Sequence, residues 1–185
     1  MIFASCLLDS PADVAASAVG AAPVSGLYRV RLAAEPWELR AYTRLRYRVF
    51  CAEQGLFLDG DADEHDAAAQ PIVAVSSASV ADDDVVGTVR IHETSKGVWL
   101  GSRLAVDPAW RGVPKLASSL IRCAVCTAQT RGCHTFLANV QLQNVPMFRR
   151  LNWRTLSEVT ICGRPHHLMQ ADLSFYPPAS APGIS

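Results

Sequence analysis

An α+β fold with a mixed, mostly antiparallel sheet of about seven strands flanked by helices is what this sequence predicts, on three observations. Segments that alternate like strands and segments with helical period follow each other in the order β-α-β-β-β-α-β-α-β-β, which contains both hairpins and helical crossovers. The length of 185 residues suits one domain of ordinary size. Half the residues are hydrophobic and 18% are charged, a balance that fills an interior and excludes a disordered chain.

Residues 1–26 and 177–185 are rich in Ala, Ser, Pro and Gly without a sustained period, so flexible ends are expected around one domain at 27–176. Leu27-Tyr-Arg-Val-Arg-Leu alternates as a strand. Pro36 opens a helix expected to reach about Gln54, with Trp37, Ala41, Tyr42, Leu45, Val49 and Phe50 on its apolar arc. Arg46 falls inside that arc, between Tyr42 and Phe50. Leu58-Asp-Gly-Asp-Ala-Asp-Glu-His-Asp is a polar loop. Residues 71–75 and 85–92 read as a hairpin joined by an acidic turn. A strand at 98–106 leads through Asp107-Pro-Ala-Trp-Arg-Gly into a helix from about Lys115 to Arg131, stopped by Gly132. Residues 135–140 form a strand, 144–151 a short helix, and 154–161 and 167–175 the closing strands.

The 17 basic and 17 acidic residues cancel, so no net field recruits nucleic acid or anionic lipid as a partner. No apolar run approaches the roughly 20 residues of a membrane helix. Met1-Ile-Phe-Ala-Ser-Cys-Leu-Leu-Asp has no basic n-region and meets Asp9 early, which makes a poor signal peptide. A cytoplasmic protein with six free thiols is therefore expected. Cys123-Ala-Val-Cys126 lies inside an apolar helical pattern and supplies only two of the four ligands that zinc needs, so it reads as packing and no metal is expected.

The unit with most chemical content is the strand-loop-helix from Leu104 to Arg131. A strand ending in Val-Asp-Pro and a loop entering a helix N-terminus make an anion site from free amides and the helix dipole. Arg111 adds a fixed charge suited to a phosphate. A second unit, Asn144-Val-Pro-Met-Phe-Arg-Arg-Leu-Asn-Trp, follows downstream.

Taken in order, Leu104-Ala-Val-Asp-Pro-Ala-Trp-Arg-Gly, an amphipathic helix, a strand, and Asn144…Phe148…Leu151-Asn-Trp resemble the acyl-CoA-binding half of GNAT-type N-acyltransferases. The resemblance spans roughly residues 27–176. It implies a co-substrate, acetyl-CoA or another acyl-CoA, held by Leu104, Ala105 and Val106 of the strand. It also implies contacts from Arg111, Gly112, Val113, Lys115, Leu116, Ala117 and Ser118 to the pyrophosphate, and from Asn144 and Phe148 in the second unit. The family loop runs Arg/Gln-x-x-Gly-x-Gly/Ala, whereas this chain reads Arg111-Gly-Val-Pro-Lys-Leu-Ala-Ser. Pro114 offers no amide, and Leu116 carries a side chain where close phosphate approach favours Gly.

Further matches lie upstream. Arg46-Tyr-Arg-Val-Phe50, Asp61-Ala-Asp63-Glu-His-Asp66, Gly87-Thr-Val-Arg90 and Ser102-Arg103-Leu104 resemble the set that marks acyl-homoserine-lactone synthases, a GNAT-related branch. Arg46, Arg90 and Arg103 sit on elements expected to be buried, and Asp61, Asp63 and Asp66 supply compensating charge, because an unpaired buried guanidinium costs several kcal/mol. Such a network either pins the loop at 58–68 over the sheet or holds substrate. The synthases carry a Glu shortly before the Ser-Arg pair, and Val98-Trp-Leu-Gly101 has none. The chain, Gly163-Arg-Pro-His-His-Leu-Met included, also resembles a bacterial GNAT subfamily associated with nitrogen-starvation gene clusters.

Direct transfer to an amine needs a polarised thioester carbonyl, a base for the amine and a proton for the thiolate. By the resemblance, the Val106 amide polarises the carbonyl. The position of the family's thiolate-protonating Tyr is Phe148, which has no proton to give. Glu93, His92, His166 and His167 are the candidate bases, Glu93 first. The leading expectation is a direct transfer of an acetyl or short acyl group from acyl-CoA to a primary amine of a small molecule. A homodimer is a possible assembly. An autoinducer synthase and a non-catalytic acyl-CoA sensor or partner subunit are the alternatives.

Overall fold

The structure is a computed structural model that describes residues 27–77 and 84–178; the expected end at 1–26, all but the first two residues of the one at 177–185, Cys6 and most of the acidic turn lie outside them. Seven strands form a single sheet: β1 (Tyr28–Leu32), β2 (Gln70–Ser76), β3 (Val85–Ser95), β4 (Val98–Val106), β5 (Thr135–Gln141), β6 (Trp153–Ile161) and β7 (Arg164–Ala171). Their spatial order is β1-β2-β3-β4-β5-β7-β6. Only β4 and β5 run parallel, joined by a helical crossover. The mixed, mostly antiparallel sheet is the one expected.

Helix α1 (Pro36–Arg46) begins with Pro in its first turn and a capping box in which Glu38 accepts from the Glu35 N–H at 2.9 Å. The expected helix to Gln54 is present, but its last part, Tyr47–Glu53, is π-helical, with Gln54 N–H bonded to the Val49 carbonyl five residues back. Helix α2 (Leu116–Thr130) presses Leu120, Ile121, Ala124, Val125 and Ala128 onto one face of the sheet. Fully burying each Leu, Ile or Val is worth about 1.5–3 kcal/mol. Helix α3 (Val145–Arg150) adds Phe148 to the same core, packed edge-on to Trp153 at 5.0 Å. The second core lies on the opposite face, where Tyr42, Leu45, Val49 and Phe50 meet Val73, Val75 and Ala105.

The closing hairpin departs from expectation. Strand β7 was expected over 167–175 and runs instead over Arg164–Ala171. Cys162 (φ 48°) and Gly163 (φ 70°) are both left-handed, which turns the chain in two residues and starts β7 at once. It ends where the Asp172 carboxylate accepts the Ser174 N–H and a 3₁₀ turn, Leu173–Phe175, begins.

Two irregularities shape the site. The β3–β4 ladder pairs Thr88 with Ala105 but Arg90 with Ser102, so β4 carries one extra residue there. Arg103, at φ 54°, occupies this bulge. Leu104 faces the α2 core, whereas Ser102 and Arg103 both turn to the α1 face, where Ser102 accepts from Arg90 Nε. In addition, β4 pairs with β5 only from Val98↔Thr135 to Gly101↔Ala138. Beyond that point the two strands part.

Candidate active site

Val106 lies where β4 has left β5. It pairs with Gly87, and the Asp107 N–H donates to the Val86 carbonyl at 2.9 Å. That pattern makes Gly87–Val106 the non-hydrogen-bonded kind of antiparallel pair, so the Val106 N–H points away from β3 into the opening beside β5. The opening leads to a cavity of about 500 Å³ lined by Val106, residues 110–118, Gln143, Asn144, Pro146, Met147, Arg150 and Leu151. Its rear wall is the start of α2. The first bond inside that helix is Ser119 N–H to the Lys115 carbonyl at 2.8 Å, which leaves the N–H groups of Leu116, Ala117 and Ser118 without a place in the helical ladder. Lys115 adopts φ 65° at the helix start, in the left-handed region that non-glycine residues seldom occupy. Tyr28 of β1 braces the loop and the helix start through its hydroxyl, which donates to the Pro114 carbonyl at 3.4 Å and lies 3.3 Å from Ser119 Oγ. Backbone N–H groups, the helix dipole and the cations Lys115 and Arg150 on one wall suit a polyanion such as a pyrophosphate.

Arg111 lines the cavity, but its guanidinium is not aimed only there. Nη2 is 2.5 Å from a Glu53 carboxylate oxygen, and Nε donates to the Val106 carbonyl at 3.4 Å. Arg48 pairs with Asp107 beside it. These two bridges tie the π-helical segment to the loop after β4.

On the α1 face, three arginines and three aspartates close a ring of alternating charge. Arg46 Nε meets Asp61 at 2.7 Å, Asp61 meets Arg103 Nε at 2.9 Å, and Arg103 Nη2 meets Asp63 at 3.1 Å. Asp63 holds Arg90 Nη1 at 2.6 Å; the same nitrogen meets Asp66 at 2.9 Å, and Asp66 returns to Arg46 Nη1 at 2.6 Å. The arginines are 0–3% exposed and Asp61 4%, while Asp63 and Asp66 keep 22% and 27% of their side chains in solvent. Burial works to raise the Asp63 and Asp66 carboxyls, and the hydrogen bonds from Arg90 and Arg46 override it, so both sit below the usual carboxylate range. Burial pushes the Tyr42 hydroxyl, bonded to Arg46 at 2.8 Å, up to about 12. Arg103 also stacks 4.8 Å from the Phe57 ring centroid, so the ring holds the loop by aromatic contact as well.

The structure thus gathers Val106, Arg111, Gly112, Val113, Lys115, Leu116, Ala117, Ser118 and Asn144 around one cavity, and Arg46, Arg90, Arg103, Asp63 and Asp66 into one ring. Leu104 and Ala105 are fully buried and are not among the residues that line the cavity. Phe148 is buried against Trp153 and does not line the cavity. Glu93 is a correction: it pairs with Trp99 at the far end of β3, six residues or about 20 Å from Gly87. Its carboxylate accepts the Gly97 N–H at 2.6 Å, capping the β3–β4 turn. Trp110, Gln143, Met147 and Arg150 line the cavity unforeseen; the Arg149-Arg150 pair after Asn144 was the one available signal. The five cysteines among the described residues, Cys51, Cys123, Cys126, Cys133 and Cys162, are free thiols, and Cys123 and Cys126 pack against the α2-side core. Among the described residues no helix is long and apolar enough to cross a membrane.

Residues 45–105, the segment that carries Arg46, the acidic loop, Arg90 and Arg103, match the family model of the acetyltransferase (GNAT) domain. Solved structures share the fold at low identity. An acyl-CoA N-acyltransferase from Pseudomonas aeruginosa is 16% identical, with 78% of this chain and 98% of that one covered and a TM-score of 0.60. The AHL synthase LasI is 14% identical over 86% of this chain and 100% of its own, with a TM-score of 0.66. TofI, in a ternary complex with an inhibitor and MTA, is 20% identical over 82% and 97%, with a TM-score of 0.63. No curated protein matches the sequence. The family model covers about a third of the chain, and the solved structures share its fold.

Proposed function

We propose that the protein moves an acetyl or short acyl group from acyl-CoA to the primary amine of a small molecule by direct transfer, in one acyltransferase domain over residues 27–176 of a cytoplasmic protein. The observation that carries this reading is the Val106 N–H, aimed into the gap between the parting strands and continuous with a cavity that ends on the start of α2. A backbone N–H at that place stabilises negative charge that develops on a thioester oxygen during attack. Leu116, Ala117 and Ser118 supply amides for the pyrophosphate, Lys115 and Arg150 supply charge, and Asn144 anchors the arm from the β5 side. The Arg–Asp ring holds the acidic loop on the face from which the amine approaches. With Phe148 buried in the core, the thiolate takes its proton from water, which a thiol of ordinary pKa tolerates near neutral pH.

The test is thiol release from acetyl-CoA against a library of primary amines, with mass spectrometry of the product. An amine-dependent release and a product heavier by one acetyl group are expected. Binding of acetyl-CoA without turnover on any amine points to the non-catalytic sensor.

The likeness to LasI and TofI, together with the Arg–Asp ring, favours one second reading, an autoinducer synthase working on an acylated carrier protein and S-adenosylmethionine. Against it stand the balanced net charge, where an acidic carrier favours a basic docking face, and Val98-Trp-Leu-Gly101 in place of the acidic residue. Product formation from an acyl carrier protein, and none from acetyl-CoA, would select it.

A further inference from the structure

Two paired residues at the ends of β5 and β7 carry buried polar atoms that have no hydrogen-bond partner among the described residues: Gln141 Nε2 and His166 Nε2. A buried polar atom left unpaired costs about 1–3 kcal/mol. Val140 and Met169 belong to the α2-side core, so strand alternation turns Gln141 and His166 to the other face, that of α1 and the Arg–Asp ring. Gln141 is one contact from the cleft, since Gln143, which lines it, donates from Nε2 to Gln141 Oε1 at 2.6 Å, and His166 is the cross-strand partner of Gln141.

The chemistry of His166 is set by its neighbour on the strand. The side chain is 1% exposed, and Nδ1 lies 2.9 Å from the Arg164 carbonyl oxygen. A carbonyl only accepts, so Nδ1 carries the proton and Nε2 presents its lone pair. Burial holds the imidazole below its ordinary value, although the bond to Arg164 opposes this.

We infer that His166 is the general base of the transfer, with Nε2 accepting the proton of the acceptor amine. The assignment rests on the acyltransferase reading above. As the amine nitrogen forms its bond to the acyl carbon, the N–H proton passes to Nε2. The C–S bond then breaks with its electron pair on sulfur, and the imidazolium returns the proton to the thiolate through solvent, so the imidazole ends neutral. Glu93, capped onto the distant turn, is excluded from this role by position.

The test uses the full-length protein, acetyl-CoA and the amine of highest turnover from the library. His166→Asn keeps a donor for the Arg164 carbonyl and removes the base. We expect kcat to fall about a hundredfold or more, while the KM for acetyl-CoA and the melting temperature stay close to wild type. A folded variant with wild-type kcat overturns the assignment and leaves the acyltransferase reading standing. A wild-type protein that releases no thiol with any amine overturns both. Long-range ¹⁵N–¹H correlation on the wild type gives a readout that needs no variant: His166 must show protonated Nδ1 and bare Nε2 at neutral pH, and the opposite tautomer sinks the proposal.

Discussion

Asp61 bridges two buried guanidiniums, Arg46 and Arg103, and is itself 4% exposed. Its truncation to Ala leaves Arg46 with Asp66 alone and Arg103 with Asp63 alone among the ring's carboxylates, and breaking a buried pair costs about 3–5 kcal/mol. Urea unfolding of Asp61→Ala should show a loss of that size. Asp66→Ala should lose less, because 27% of the Asp66 side chain meets solvent that screens the charge it leaves; equal losses would mean that the ring is not the buried unit described. In both variants the loop and acceptor binding should fail together. Arg46 was legible in the sequence because a charge inside an apolar helical arc must find a partner. The aim of Arg103 was not, because a bulge that points two consecutive side chains to one face leaves no mark in the alternation of β4. Glu93 was misplaced because a carboxylate near a strand end looks the same whether it faces a cleft or caps a turn.

The elements that hold the acidic loop over the sheet respond to acid in a defined direction. His65 of the loop stacks on His92 of β3, with centroids 4.5 Å apart. Burial, then the charges of His65 and Arg90, lower His92 to about 4. A histidine depressed in the folded state stabilises fully above its unfolded pKa of about 6.5, and that contribution is lost as pH falls toward the folded value. Asp63 and Asp66, also depressed, act in the same direction at lower pH, with their contribution lost as pH falls through and below the ordinary carboxylate range. The melting temperature should therefore drop between pH 6.5 and 4 and drop further below, and His92→Phe should flatten the upper part. A wild-type melting temperature constant from pH 7 to 4.5 would contradict it. At the β3–β4 turn, Gly97 has φ +72°, and an added Cβ would collide with His134 Cδ2. Gly97→Ala should cost about 2 kcal/mol by denaturant unfolding, the left-handed penalty alone being about 1–2 kcal/mol; a neutral effect would mean that the turn relaxes freely. The helices were legible from their period. The start of β7 was not, because Cys162 in a left-handed turn is a conformation its residue type rarely adopts.

At the scale of the whole molecule, the parting of β4 from β5 opens the cleft, and two bridges (Arg48–Asp107 and Glu53–Arg111) tie the loop behind that cleft to the segment that leads into the acidic loop. The order of strands and helices in the sequence was enough to foresee the sheet, and the Leu104–Gly112 and Asn144 units marked both walls of the cavity. The engagement of Arg111 with Glu53 depends on distant segments meeting, which no local pattern records.

The central claim, that this cleft binds acyl-CoA with its pyrophosphate on the start of α2, is tested most directly by calorimetric titration of acetyl-CoA into the wild type and into Ala117→Asp. Ala117 is in the first turn of α2 and lines the cavity, so the variant sets a carboxylate against the phosphates. One site per chain is predicted for the wild type, and a dissociation constant at least tenfold weaker for the folded variant, on the order of 1.4 kcal/mol. No heat of binding from the wild type, or an unchanged constant in the variant, would contradict the account.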